Sequence, residues 1–164
     1  MTKVTHKGEV IIEHPNRAKS ASKVSRAVMV ILLLLSAGLM AVIVFGGWDA
    51  LMGMQVIALA WIAFYVFFAF LVARWRRGVL PVIAALALIM LIFALIAVPT
   101  WVDRDSAGYA ATPLGAGVLA TLAAVLVALQ AVLCIAAGQA FNQEWNVEVE
   151  HWPEEEPDFV PLGV

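Results

Sequence analysis

At 164 residues, 63% hydrophobic and only 13% charged, with a mean hydropathy of +0.94, the chain is too apolar for a soluble domain. Its length leaves room for one compact membrane domain with two short tails, and none for a separate soluble enzyme domain. The formal net charge of −2 averages a basic front and an acidic end, so the distribution of charge says more than its sum.

Residues 1–26 form a polar lead carrying Lys3, Lys7, Arg17, Lys19, Lys23 and Arg26, together with Pro15 and a serine-rich patch, and read as a flexible basic tail. A cleaved signal would place a short apolar core after a brief charged start. Here the lead is long and the following run reaches spanning length, so the first span is expected to be retained. Within the tail, Val10-Ile11-Ile12 is either a strand-like contact or a few apolar residues in a solvated segment, and the solvated segment is the expectation.

Four apolar runs follow, at about residues 27–47, 51–73, 79–98 and 114–139, each near the roughly 20 residues that cross a hydrocarbon core. Gly46-Gly47-Trp48-Asp49 is a very short connection, so the first two spans are expected as an antiparallel hairpin, with Asp49 capping the second. The second span is rich in aromatics, Trp61 and Tyr65 among them, a composition suited to packing or to contact with a flat lipophilic molecule such as a quinone. Arg74, Arg76 and Arg77 then crowd the loop to the third span. Positive residues resist translocation, which anchors this loop in the cytoplasm.

The third span is expected to end before Pro99, leaving residues 99–113 as a polar outer loop. Thr112-Pro113 resembles a cap followed by a first-turn proline, a start signal for the fourth span. Along that span Ala116, Ala120, Ala124 and Ala128 recur every four residues, a small-residue ribbon of the kind membrane helices use to approach closely. Residues 141–164 form an acidic cytoplasmic tail in which 141–150 suit a helix extension or a short strand, and Pro153 ends either.

Both tails and the arginine loop share one side and hold every basic residue except Arg104, so both termini are expected in the cytoplasm of a bacterial inner membrane. Trp75 and Trp145 would mark the inner interface, and Trp48 and Trp101 the outer one. The fold expected is an all-α integral membrane protein, a four-helix transmembrane bundle with antiparallel neighbours.

No Asp, Glu, Lys, Arg or His lies within these four runs, and intramembrane ionisable groups are the usual mark of proton relays and ion paths. The histidines, His6, His14 and His151, lie in the tails, where they cannot ligate an intramembrane haem. Cys134 stands alone, which excludes an internal disulfide and cysteine-pair redox chemistry. No cofactor, metal, catalytic residue or nucleic-acid partner is therefore expected, and the chain does not read as an enzyme. Gln130, deep in the fourth span, suits an interhelical hydrogen bond. The role expected is an accessory or scaffolding subunit whose partners are the lipid bilayer and another membrane protein. The alternatives are an oligomeric transporter or channel, and a quinone or lipophilic-ligand site around Trp61, Tyr65 and Gln130.

Overall fold

The computed structural model describes residues 11–106, 108–109 and 111–151. Its elements run β1 (Ile11–Glu13), α1 (Pro15–Ala18), α2 (Ser20–Gly46), α3 (Gln55–Ala73), α4 (Leu80–Arg104), α5 (Ala116–Phe141) and β2 (Val149–His151), with 3-10 turns at Trp48–Leu51 and Arg77–Val79. Among the described residues, four helices, α2 to α5, are long and apolar enough to cross a membrane. Their outward faces are apolar too, as Phe45, Val56 and Ile135 show, so the helices are hydrophobic on more than the face turned to the core.

Helix α2 packs on α3 and on α5, and α5 packs on α4. All three pairs are antiparallel, as their end contacts show. Arg26 near the start of α2 donates to the carbonyl of Ala73 at the end of α3 (3.2 Å). Ser25 bonds Gln143 just beyond α5 (2.8 Å), and Arg77 before α4 bonds Phe141 at the end of α5 (2.8 Å). The core runs between them in helical steps, Met29, Leu33, Ala37 and Met40 on α2 facing Ala87, Met90 and Ala94 on α4 and Leu119, Ala123 and Leu126 on α5.

Several boundaries differ from the sequence expectation. Helix α4 passes through Pro99 and continues to Arg104. The proline removes one backbone bond, but the Thr100 hydroxyl donates to the Ile96 carbonyl one turn back (2.9 Å), and Trp101 is buried against Gly47, so the last turn is held by packing. Helix α5 begins at Ala116 and not at Pro113. Residues 112–115 form a turn with Pro113 at its second position, closed by the Gly115 N–H on the Thr112 carbonyl (3.1 Å), and Gly115 has φ +71°, ψ 141°, a conformation essentially reserved for glycine. Asp49 does not cap α3. It lies in the 3-10 turn, and the Gln55 side chain ties that turn to the helix by donating to the Trp48 carbonyl (2.9 Å).

The tails depart furthest. Residues 11–13, expected as part of a solvated segment, form β1 and pair antiparallel with β2, Ile12 opposite Glu150. The helix expected from residue 27 begins at Ser20. Beyond α5 the chain turns instead of prolonging the helix, with Glu144 at φ +49° and Trp145 wholly buried, and the short-strand alternative is realised only at Val149–His151, as β2. The acidic segment past His151 lies outside the described residues, as does the lead before Ile11.

Candidate functional site

At the arginine end, Arg74 and Arg76 are exposed, and Arg74 lies over Phe70 (4.9 Å). Arg77 is half-buried: it bonds the Phe141 carbonyl and Asn146 Oδ1 (2.9 Å) and lies over the Phe141 ring (4.3 Å). Trp75 occupies the left-handed region (φ +62°) where the chain leaves α3, with the Arg76 N–H reaching back to Leu71 and the Trp75 N–H to Val72, the Schellman arrangement in which glycine is usual. Its indole stands edge-on to Trp145 (5.5 Å, 88°), and the Arg26 guanidinium lies over it (4.2 Å). Asn16 and Arg17 then donate to the carbonyls of Glu144 and Trp145 (3.0 and 3.1 Å). Three of the residues expected to mark topology or an interface, Arg77, Trp75 and Trp145, thus bind one another's segments in a closed cap.

Midway along the bundle, three helices contribute to a dry polar triad. The Tyr65 hydroxyl donates to Gln130 Oε1 (2.6 Å), and Gln130 Nε2 donates to Ser36 Oγ (3.1 Å). All three residues are wholly buried. Away from water each bond is retained because the unpaired group would have no substitute partner in an apolar interior. Tyr65 and Gln130, named in the alternative of a lipophilic-ligand site, are hydrogen-bonded to each other, and for Gln130 this is the interhelical bond that its position suits. Ser36, the third member, was visible in the sequence only as an uncharged polar residue in an apolar run.

The feature with the dimensions of a binding site lies above this triad, at the end away from the arginines. Helices α3 and α4 do not pack closely on one another. They meet through an edge-on contact of Trp61 with Phe93 (6.0 Å, 75°). Residues 74–79 hold them together at one end, and from Trp61 and Phe93 outward they leave a cavity of about 470 Å³. That volume lies within the range of small-molecule sites, and the lining is apolar as such sites are. Met40, Trp61, Met90 and Leu126 form its deep end, and Met52, Ile57 and Ile96, which are exposed, show that it reaches the outer face of the bundle. Met40, Trp61 and Leu126 stand four residues from Ser36, Tyr65 and Gln130 on the same three helices, so the triad lies one turn, about 6 Å, beneath the floor.

Few lining residues carry polar groups: Thr100, Arg104 and the indoles of Trp61 and Trp101. The indole Nε1 of Trp61 is buried and has no hydrogen-bond partner among the described residues. At the mouth Arg104 donates to the Ala50 carbonyl (3.3 Å), and its guanidinium lies near the rings of Trp101 (5.9 Å) and Tyr109 (5.3 Å). Arg104 and Trp101 were not expected at a site. The one available signal was that Arg104 is the only basic residue outside the tails and the arginine loop, and the proline before it suggested a loop.

Of the alanine ribbon, Ala116 and Ala120 are buried in the bundle, whereas Ala124 and Ala128 are exposed. Steps of four advance 400°, so the row drifts about 40° per step relative to the 3.6-residue turn, and Leu119, Ala123, Leu126 and Gln130 take over the buried face. Compared with protein-family models, with curated proteins and with solved structures, the chain matches none.

Proposed function

We propose that this chain is a multi-pass membrane protein, with both termini on the cytoplasmic side, that binds a lipophilic molecule in the cavity between α3 and α4. The observation that supports the reading is the cavity itself: apolar, of ligand size, and reaching the flank of the bundle, where a molecule dissolved in lipid would enter. Charge supports the orientation, since the two tails and the arginine loop carry nine of the ten basic residues.

The cavity favours a ligand over a scaffolding role alone. A partner helix would require a groove along the full height of the bundle, but this lining extends no deeper than Met40, Trp61, Met90 and Leu126. Conduction finds less support: the wholly buried polar groups midway along the bundle, Ser36, Tyr65 and Gln130, are hydrogen-bonded to one another. Purification in mild detergent followed by organic extraction and mass spectrometry tests the reading. Wild type should carry a lipophile near one per chain, and Ala97→Phe or Ala58→Phe, each placing a ring in the cavity, should carry much less. A wild-type chain that yields no more lipophile than a control helical membrane protein would overturn it.

A further inference from the structure

The ligand's chemical class follows from the two ends of the cavity. We infer, resting on the reading above, that the occupant is a single-chain amphiphile with an anionic head, its head held by Arg104 and its chain descending to the Trp61–Phe93 contact.

Depth is the first argument. Phe93 and Arg104 are on one helix, eleven residues apart, so the Trp61–Phe93 contact lies about 16 Å below the mouth at 1.5 Å per residue, and Met90 at the deep end lies one turn further down, about 21 Å from Arg104. Half of a hydrocarbon core of about 30 Å is 15 Å, which is the depth that the chain of one leaflet occupies. Helix α4, 25 residues long, spans about 37 Å, so with Leu80 at one interface Arg104 reaches the other. A head at Arg104 and a chain along the cavity therefore keep the depths they have in lipid.

Charge is the second. Arg104 forms no ion pair among the described residues, and its contacts, one carbonyl and two rings, leave donors unused on a five-donor group. Asp103 and Asp105 flank it in sequence but do not line the cavity, and Asp105 turns its carboxylate toward Gly117 at the start of α5. The guanidinium is held at the rim by Ala50 and the aromatic rings, where it can give a carboxylate or phosphate a paired hydrogen bond. Lining shape is the third. Met40, Met52, Met54 and Met90 are unbranched and adapt to a flexible chain more readily than β-branched residues would.

The test uses full-length protein in phosphatidylcholine vesicles and a fatty acid brominated near its methyl end, with the matching brominated fatty alcohol as a neutral probe. Bromine quenches nearby indoles, so Trp61 should be quenched by the methyl-end label and Trp101 by a label beside the head, each assigned by its phenylalanine variant. The acid should bind more tightly than the alcohol, and Arg104→Gln should remove about tenfold or more in affinity for the acid alone, the effect of losing a charge-assisted hydrogen bond. Equal binding of acid and alcohol overturns the anionic head. Retained acid binding in Arg104→Gln with loss in Trp61→Phe, which deletes only the N–H and part of the ring, overturns the proposal in favour of a ring with an acceptor seated at the floor. Displacement of the acid by equimolar two-chain phosphatidylglycerol overturns the single chain. Failure of every probe to quench, with no lipophile extracted from wild type, is instead failure of the ligand-binding reading.

Discussion

Gln130 illustrates how one side chain links three helices. Its amide accepts from Tyr65 on α3 and donates to Ser36 on α2, so deleting it strands two buried hydroxyls. Hydrogen bonds within membrane bundles are worth modest amounts, because the unfolded chain in lipid also finds partners. Gln130→Leu should therefore cost about 1 to 2 kcal/mol, for two bonds, in unfolding monitored in mixed detergent and dodecyl sulfate. The triple variant Ser36→Ala, Tyr65→Phe, Gln130→Leu should recover most of that loss, since no polar group then remains unpaired. A triple variant weaker than the single one would mean that shape, and not pairing, holds the site. Trp75 makes the complementary point: a left-handed non-glycine residue costs about 1 to 2 kcal/mol, and the contacts with Trp145 and Arg26 offset it.

At the end of α2, glycine decides how closely the neighbouring segments approach. A methyl group on Gly47 would collide with the far edge of the Trp101 indole, and one on Gly46 would collide with the Leu114 side chain. Trp101 is buried and rigid, so it has little room to yield. Gly47→Ala should destabilise the fold by about 1 to 3 kcal/mol, as overpacking does. Trp101→Phe, which lacks that far edge, should cost little more in the alanine background than the alanine alone, a coupling that the same unfolding assay reads as non-additivity. Additive losses would show that the two residues are not in contact. This glycine–indole contact also explains why α4 outlasts Pro99: Trp101 needs the helical turn beyond the proline to reach Gly47, and that turn in turn carries Arg104 to the mouth of the cavity.

Across the whole molecule, β1 and β2 join residues 138 positions apart and bring the two tails together at the arginine end. Directly opposed residues in an antiparallel pair lie about 4.5 to 5.5 Å apart, within disulfide range. Ile12→Cys with Glu150→Cys, in a Cys134→Ser background, should cross-link under mild oxidation and change mobility on a denaturing gel. Ile12→Cys with Glu148→Cys should cross-link far less, and equal yields would mean that the ribbon does not hold this register. The four apolar helices were legible in the sequence because their signal is local: each run is long and uncharged, and a helix satisfies its own backbone wherever the segment is placed. The arginine loop was legible for the same reason. Pro99, Thr112-Pro113 and Ile11-Ile12 were misread because in each case a distant partner outweighed the local preference: Trp101 on Gly47, the Leu114 N–H on the Gly46 carbonyl, and β2 on β1. The cavity belongs to that second kind. Composition makes α3 and α4 apolar, but whether two apolar helices close or splay depends on where the connecting loop and the other helices hold them, which is information spread over the chain and assembled only in three dimensions.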